Sequence, residues 1–336
     1  MVKVAINGLG RIGRATLKMI LDTPELEFVG ANDIAPLDNI AYLLRYDTVY
    51  GRYDKHVEVR GDELVIEGKA YPYFSERNPA DIPWEKVGAE FVIESTGFFT
   101  NEEDARKHIQ AGAKTVVISA PAKSKETPMV VYGVNTEDGH AEVFSCASCT
   151  TNCITPVVEV MHRRIGVEKA IMTTVHAYTS SQMIVDAPSR KDFRRGRAAA
   201  ANFVPTSTGG AVATTKVVTE LAGKFDGIAI RGPIPAGSIA DIIFLTKRDT
   251  SVEEVNSIFR EEAASDRYNG VLGASDDPLV SSDILGDSRA SIVDLPMTRV
   301  VDGNLVKVLS WYDNEWGFTA QMIRQIIATS KELQGS

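Results

Sequence analysis

A short apolar run at the start of the chain leads directly into a glycine-rich turn. Val2–Ile6 is typical of a buried strand, and Gly8, Gly10 and Gly13 follow it with the spacing G-x-G-x-x-G. A helical pattern and a second apolar strand come next, and Asp33 lies twenty residues after the last glycine. In this order the glycines permit a tight turn against a pyrophosphate at the helix N-terminus, and the acid accepts bonds from ribose hydroxyls. The pattern predicts a dinucleotide-binding βαβ unit, whereas a tight turn without a ligand would not require the acid.

The rest of the first half continues to alternate between strands and helices. Glu90–Ile93 and Thr115–Ile118 are strand-like, with a helical pattern over Glu102–Ala111 between them. This alternation predicts an α/β unit with a doubly wound parallel sheet, in which ligands bind beyond the carboxyl ends of the strands. Thr96 and Ser119 follow such ends, although ordinary turn chemistry explains both residues equally well.

Three cysteines lie close together near the middle of the chain, in the segment Ser145–Cys153. Apolar residues with helical spacing follow, so we expect a helix capped near Thr150 or Thr151, with Pro156 in its first turn. Cys149 then lies at a helix N-terminus, where N–H groups and the helix dipole lower a thiol pKa and create a nucleophile. A buried structural thiol is the common alternative, and the polar neighbours of Cys149 argue against it.

The spacing of Cys146, Cys149 and Cys153, C-x₂-C-x₃-C, also resembles part of a metal site. Three thiolates would need a distant histidine to complete a tetrahedral site, and no second C-x-x-C follows. We therefore predict no bound metal.

The second half of the chain has longer and more clearly alternating strands. They cover Lys169–His176, Gly227–Arg231 and Ala240–Leu245, which predicts an α+β unit whose mostly antiparallel sheet has one covered face. A long irregular stretch, Ala177–Gly210, separates the first two strands. Loops of that length inside a compact domain are usually functional.

His176 closes the first of these strands. A lone histidine is more often structural, but a thiol nucleophile needs a base that accepts its proton and then stabilises an oxyanion, so we pair His176 with Cys149. The following stretch favours phosphate binding over a solvated basic face or a nucleic-acid site, through Arg190, Lys191, Arg194, Arg195, Arg197 and Thr206–Gly210. Arg231 offers a bidentate fork for a second phosphate.

An aromatic segment, Trp311–Phe318, follows a strand that we expect over Leu305–Leu309. Both of its tryptophans are expected in the core. Asn314 between them is an enclosed amide, which needs hydrogen-bond partners. An apolar-periodic helix then ends the chain.

Charge and hydropathy exclude several classes of protein. A net charge of −9 argues against a general nucleic-acid or anionic-membrane binder, and no apolar run is long enough to span a membrane. An odd number of cysteines does not form a disulfide framework, so we expect a reducing, cytoplasmic location. The 336 residues are enough for two domains.

Together these motifs closely resemble phosphorylating glyceraldehyde-3-phosphate dehydrogenases over essentially the full chain. The matching segments, in the same order, are Asn7–Arg14, Ser148–Asn152, His176–Thr179, Pro205–Gly209 and Trp311–Gly317. The resemblance implies a Rossmann-type domain over residues 1–149, a catalytic domain over 150–317, and a last helix from about 318 that packs on the first domain. It also implies a homotetramer, with a 177–201 loop that packs across a subunit interface.

The resemblance further implies the chemistry and the site residues. Cys149 adds to the aldehyde of glyceraldehyde 3-phosphate with His176 as base, hydride passes to NAD, and inorganic phosphate releases the thioester as 1,3-bisphosphoglycerate. The phosphate-binding residues implied are Thr179 and Arg231 for the substrate, and Ser148, Arg195, Thr208 and Gly209, with Thr150, for inorganic phosphate. The dinucleotide-binding residues implied are Asn7, Gly8, Gly10, Arg11, Ile12, Asp33, Arg77, Thr96, Ser119 and Asn314.

Some residues depart from the pattern of this family. Phe318 replaces a usual tyrosine, Cys146 replaces a usual asparagine, and Ala187 replaces a leucine common in NAD-specific bacterial relatives. The small Ala187 leaves room for some NADP use, although charge repulsion from Asp33 should keep NAD preferred. Two other functions stay open: the same chemistry on erythrose 4-phosphate, and a regulatory or RNA-binding protein that uses the fold without turnover.

Overall fold

Alternating strands and helices make up the first of two units in the computed structural model, which describes residues 1–189 and 192–335. This unit comprises Met1–Ala147 and the chain from Met322 onward. Its strands are β1 (Val2–Asn7), β2 (Leu26–Asn32), β3 (Tyr46–Asp47), β4 (Gly51–Arg52), β5 (Val57–Arg60), β6 (Glu63–Ile66), β7 (Lys69–Phe74), β8 (Phe91–Glu94), β9 (Thr115–Ile118) and β10 (Val143–Ser145). Its helices are α1 (Arg11–Leu21), α2 (Leu37–Arg45), α3 (Trp84–Val87) and α4 (Glu102–Gln110).

The main sheet of the first unit has the strand order β10-β9-β8-β1-β2-β7-β6-β5. Strands β10 to β7 are parallel, and β6 and β5 extend the sheet as an antiparallel edge. The near-continuous burial of β1, β8 and β9 is typical of parallel strands that are covered on both faces. This confirms the predicted doubly wound sheet. The chain reverses its order between β1 and β8, and open α/β sheets bind ligands beyond the carboxyl ends of such a strand pair.

The second unit, Ser148–Gln321, contains the remaining strands and, among its described residues, three complete α-helices. The helices are α5 (Cys149–Arg164), α6 (Gly210–Val217) and α7 (Val252–Ala263), and the last helix, α8 (Trp316–Gly335), runs on into the first unit. The strands are β11 (Val167–Ala177), β12 (Val204–Ser207), β13 (Phe225–Gly232), β14 (Ser238–Thr246), β15 (Leu272–Ser275), β16 (Ser291–Asp294), β17 (Arg299–Val301) and β18 (Leu305–Tyr312).

The sheet of the second unit has the order β12-β13-β11-β14-β18-β16-β15, with β17 beside β18. Most of its strand pairs are antiparallel, as predicted. Burial alternates along β14 and β18, so one face is enclosed and the other is accessible in the single chain. Ile171 and Ile228 lie on the accessible face and are 59% and 50% exposed.

The structure corrects the expected start of the cysteine helix. Helix α5 begins at Cys149, and the Ser148 hydroxyl caps it by accepting a bond from the Thr151 N–H at 3.1 Å. Thr150 therefore lies in the first turn, and Pro156 is the eighth helical residue. Pro156 removes one helical N–H there, inside a helix that is stabilised by burial on most sides.

The structure also corrects the end of the chain. β18 continues to Tyr312, because Trp311 and Tyr312 pair with Ile239 and Ser238 of β14. Both tryptophans of this segment are only partly buried, whereas Tyr312 and Phe318 are enclosed. The irregular stretch is shorter than expected, since it contains short 3₁₀ turns and ends at β12.

Helix length and apolarity also bear on membrane crossing. Within residues 1–189 and 192–335, no helix combines the length and apolarity needed to span a bilayer.

Candidate active site

Cys149 and His176 come together in the second unit. Cys149 is the first residue of α5, and His176 is the second-last residue of β11. The Cys149 Sγ lies 3.4 Å from the His176 Nε2. The sulfur is thus within hydrogen-bond reach of a potential base, the arrangement that thiol catalysis requires.

Hydrogen bonding determines which nitrogen of His176 faces the thiol. The Nδ1 atom lies 2.7 Å from the Ala177 carbonyl oxygen, which can only accept a bond, and 3.3 Å from the Arg231 Nη1, which can only donate; we assign the hydrogen to Nδ1 because the carbonyl contact is the shorter. The neutral ring then presents the Nε2 lone pair to Cys149. Arg231 donates to the same Ala177 carbonyl at 3.1 Å and keeps that oxygen in place.

The expected lowering of the thiol pKa is wrong for this arrangement. Burial raises the pKa of the Cys149 thiol, and the Arg231 guanidinium and the Thr150 N–H oppose that shift. Burial and the same guanidinium lower the pKa of His176 to about 4. At pH 7 the pair is therefore a neutral thiol beside a neutral imidazole that can accept its proton.

Tyr312 supports both catalytic candidates, and the sequence reasoning missed it. Its hydroxyl lies 3.0 Å from the Thr150 Oγ1 and 2.8 Å from the Thr174 Oγ1. Its ring packs edge-on against the His176 ring, with the centroids 5.8 Å apart. The alternation of β18 would have shown that residue 312 faces inward if the strand had been extended past Leu309.

A line of polar groups joins the two arginines that were predicted to bind phosphate. The Arg231 Nη1 lies 3.4 Å from the Thr179 Oγ1, which lies 2.9 Å from the Ser181 Oγ. The Arg195 Nη1 lies 3.5 Å from the same Ser181 oxygen. Two guanidinium groups and two hydroxyls therefore converge near the loop that follows His176.

The N-terminus of α6 packs against that of α5. A Cβ on Gly210 would lie 2.8 Å from the Thr150 Cγ2, so a larger residue there would separate the two helix ends. Thr208 accepts a bond from the Gly210 N–H at 3.2 Å, and Gly209 caps α6. Two helix N-termini side by side create an environment that favours anions.

Asn314 is held by its oxygen. The Oδ1 accepts bonds at 3.1 Å from the Gly237 N–H and from the Ser238 hydroxyl. Ser238 in turn accepts the Ala177 N–H at 3.1 Å, which links the amide to the backbone beside His176. These bonds orient the amide so that its NH₂ group is the part that can serve a further partner.

A pocket of about 420 Å³ lies in the first unit at the carboxyl ends of β1, β2 and β8. Its wall includes six of the predicted dinucleotide residues, namely Asn7, Gly8, Gly10, Asp33, Arg77 and Thr96. Three others are not part of this wall. Arg11 and Ile12 begin α1, directly after Gly10, and Arg11 forms an ion pair with Asp47 at 2.5 Å. Ser119 directly follows β9.

The shape of this pocket fits a dinucleotide. A Cβ on Gly8 would lie 2.8 Å from the Thr96 nitrogen, so only glycine lets the turn after β1 approach the turn after β8. Gly10 caps α1 without a side chain, which leaves the helix N-terminus open to a phosphate. Asp33 accepts the Leu9 N–H at 2.6 Å and the Ala35 N–H at 2.9 Å, so its carboxylate is anchored at the pocket wall.

Other basic residues of the loop take different places. Arg197 pairs with Asp186 at 2.8 Å, while Arg190 and Lys191 lie outside the described residues. Within residues 1–189 and 192–335, no group of three or more His, Cys, Asp or Glu side chains is arranged to hold a metal ion. The three cysteines are present as thiols.

Comparison with known proteins covers nearly the whole chain. Residues 2–102 match the family model of the glyceraldehyde 3-phosphate dehydrogenase NAD binding domain, and residues 148–314 match that of its C-terminal domain. The chain is 46% identical over 336 residues to glyceraldehyde-3-phosphate dehydrogenase of Zymomonas mobilis, covering 99% of each chain. It is 47% identical over 325 residues to glyceraldehyde-3-phosphate dehydrogenase 1 of Bacillus subtilis, covering 96% of each. It is 46% identical over 332 residues to the Clostridium pasteurianum enzyme, covering 97% of this chain and 98% of the relative.

Proposed function

Because this chain belongs to the glyceraldehyde-3-phosphate dehydrogenase family and is an NAD-dependent oxidoreductase of glycolysis, we propose that Cys149 is its nucleophile and His176 its base. The observation that carries this proposal is the 3.4 Å separation of the Cys149 Sγ and the His176 Nε2. The substrates are glyceraldehyde 3-phosphate and inorganic phosphate, and the product is 1,3-bisphosphoglycerate.

The reaction begins with transfer of the thiol proton. As Sγ forms a bond to the aldehyde carbon, the proton moves to the Nε2 lone pair and the carbonyl π electrons move to oxygen. The imidazolium keeps this proton and donates a hydrogen bond from its Nε2–H to that oxyanion. Its Nδ1–H remains bonded to the Ala177 carbonyl, which holds the ring plane during both steps.

NAD, when bound, supplies the hydride acceptor that turns the thiol adduct into a thioester. Inorganic phosphate then attacks the acyl carbon, the C–S bond breaks, and the sulfur electron pair returns to Cys149. Covalent attachment to the sulfur divides one difficult oxidation into two easier steps.

Two anion sites would hold the phosphate groups on either side of the thiol. We assign the substrate phosphate to Arg231 and Thr179, whose side chains already lie 3.4 Å apart. We assign inorganic phosphate to Arg195 and to the helix ends at Ser148, Thr208 and Gly209. Thr150 belongs to the same set, and its hydroxyl also lies 3.0 Å from the Tyr312 hydroxyl.

The dinucleotide would lie in the pocket of the first unit. The α1 N-terminus at Gly10, with Arg11 and Ile12, would hold the pyrophosphate, and Asp33 would accept the ribose hydroxyls. Asn7, Gly8, Arg77, Thr96 and Ser119 complete that assignment, and the Asn314 amide would bind the nicotinamide carboxamide. These roles are supported by the pocket wall and by the free side of the Asn314 amide.

The assay that tests the proposal is NADH absorbance with purified protein. We expect NADH formation from glyceraldehyde 3-phosphate that depends on added phosphate, with a lower kcat/KM for erythrose 4-phosphate. Faster turnover of erythrose 4-phosphate would reassign the substrate. If neither aldehyde gives NADH, the protein would be one that uses the fold for binding and does not catalyse the reaction.

The cofactor preference follows from the anchored Asp33 carboxylate. A 2′-phosphate would bring like charges together at a cost of about 1–4 kcal/mol, so we expect NAD to be preferred by about 5- to 1,000-fold in kcat/KM. Asp33→Asn keeps an oxygen for the Leu9 N–H but removes the charge, and it should raise kcat/KM for NADP. Initial rates with both cofactors measure this preference. Equal use of NAD and NADP by the wild-type enzyme would show that the space beside Ala187, and not the charge of Asp33, determines the choice of cofactor.

We further propose a cytoplasmic homotetramer. The accessible face of the second sheet carries Ile171, Val175 and Ile228, an apolar surface that suits a second copy of the chain. Reduced thiols suit the cytoplasm.

Charge placed on that face should weaken assembly. We expect the wild type to sediment at four times the 36.5 kDa chain mass, and Ile171→Lys with Ile228→Lys to sediment as smaller species. Leu333→Lys is the control, because Leu333 is equally accessible, at 52%, on the last helix. A wild-type monomer, or an unchanged mass in the double variant, would contradict the proposal.

A further inference from the structure

Glu94 is a buried carboxylate beneath the dinucleotide pocket. It ends β8 opposite Asn7, the last residue of β1, and only 1% of its surface is exposed. No lysine or arginine nitrogen of the described residues lies within 4.0 Å of its oxygens, and the basic side chain beside it is the imidazole of His108. A buried charge without a cation is costly unless hydrogen bonds satisfy it.

Donors from three elements surround this carboxylate. The Oε1 accepts the Thr96 N–H at 2.8 Å and also the Thr96 hydroxyl. The Oε2 accepts the Asn7 amide at 2.6 Å and lies 3.2 Å from the His108 Nε2. Each oxygen therefore faces donors, which is the environment of an ionised carboxylate.

Trp84 sets the tautomer of His108. The indole Nε1–H can only donate, and it lies 2.9 Å from the His108 Nδ1, so Nδ1 must accept. In the neutral ring the hydrogen is then on Nε2, where it is donated to Glu94. Both side chains are fully enclosed, so water cannot replace either bond.

The hydrogen bonds continue from Glu94 across the floor of the pocket. The Asn7 Oδ1 accepts the Asn32 amide at 2.8 Å, and Asn32 exchanges bonds of 2.8 and 3.0 Å with the backbone of Glu76. Asn7, Asn32, Glu76 and Thr96 all line the pocket. The network thus connects the carboxyl ends of β8, β1 and β2 with the segment that follows β7.

Thr96 links Glu94 to the glycine-rich turn after β1, to which we assign phosphate binding. Its backbone nitrogen is the atom that a Cβ on Gly8 would approach to 2.8 Å. Its hydroxyl oxygen also accepts the Phe98 N–H at 3.1 Å, which shapes the turn after β8. A shift of Thr96 would therefore move one wall of the pocket against the glycine-rich turn.

We propose that Glu94 is a positioning residue for NAD binding, which holds Thr96 and Asn7 in the shape that the dinucleotide requires. His108, in the tautomer fixed by Trp84, keeps the carboxylate in place. The proposal rests on NAD binding by this family, and it concerns the affinity for NAD rather than the reaction at Cys149.

Glu94→Gln tests the proposal because it keeps the size of the side chain and removes one acceptor. Whichever way the new amide turns, its NH₂ group faces existing donors, either those of Thr96 or those of Asn7 and His108. Titration of the full-length protein with NAD should show a Kd raised about tenfold or more. At saturating NAD, kcat and the KM for glyceraldehyde 3-phosphate should stay within about twofold of wild type.

Glu90→Gln is the matched control, since Glu90 precedes the same strand and accepts the Lys3 N–H at 3.0 Å at the opposite end of the sheet. It should leave the Kd for NAD unchanged. A Glu94→Gln protein with a lower melting temperature but a wild-type Kd would show that Glu94 acts only in stability, and would overturn the proposal.

A pair of His108 variants decides the question if Glu94→Gln does not fold. His108→Gln keeps a donor for Glu94 and an acceptor for Trp84 on one planar amide, whereas His108→Leu removes both. We expect His108→Leu to raise the Kd for NAD severalfold and His108→Gln to recover most of that loss. Equal NAD affinity in both variants, as in the wild type, would overturn the proposal.

Discussion

Replacing Cys149 by serine is expected to lower kcat by at least roughly 10⁴-fold while NAD still binds. A serine hydroxyl ionises far less readily than a thiol, and it cannot form the thioester that phosphate later cleaves. Apart from Asn314, the residues assigned to NAD belong to the first unit, and Cys149 is not among them, so the affinity for NAD should not depend on the sulfur. Initial rates of NADH formation and a direct titration with NAD measure the two effects separately.

Cys153→Ser is the matched control for this experiment. Cys153 is fully buried one helical turn later, and its Sγ lies 3.7 Å from the Ser291 hydroxyl and 3.8 Å from the Ser310 carbonyl. A serine hydroxyl can make similar bonds there, so we expect most activity to remain. Comparable losses in Cys149→Ser and Cys153→Ser would mean that the nucleophile has been assigned wrongly.

The parallel sheet could be predicted because its signals are local. The apolar strand, the glycine turn and the helix of β1 and α1 are adjacent in the sequence, and each restricts the next. The antiparallel edge formed by β5 and β6 gave no such signal. Each of these strands has only four residues, and the alternation of Val57 and Val59 with the exposed Glu58 and Arg60 in β5 is at the lower limit of length for a strand pattern.

The site could be predicted only as a set of residue types. Cys149 and His176 were paired from chemistry, but the sign of the thiol pKa shift depends on how much of its surroundings is buried, which no spacing reveals. Tyr312 and Glu94 were missed for a related reason. Each has at least one hydrogen-bond partner more than 80 residues away in sequence, namely Thr150 for Tyr312 and Asn7 for Glu94.

Replacing His176 by asparagine is expected to lower kcat by about 10²- to 10⁴-fold, the usual contribution of a general base. Asparagine can still donate a hydrogen bond to an oxyanion, but it cannot accept the thiol proton. His56→Asn is the control, because His56 is an exposed histidine of the first unit, and it should leave kcat unchanged. A wild-type rate in His176→Asn would exclude the assigned base.

The pH dependence distinguishes loss of a base from loss of structure. With a pKa of about 4, His176 is neutral and competent as a base at pH 7, and this competence is lost only as the pH falls through about 4. The wild-type rate should therefore show no inflection near pH 6.5, the ordinary pKa of histidine.

In His176→Asn the attacking species must be the thiolate, whose pKa burial raises above its ordinary value. Its fraction, and hence the rate, should rise about tenfold for each pH unit between pH ~6 and ~9. Parallel pH profiles for the wild type and the variant would show that His176 does not take the proton from Cys149.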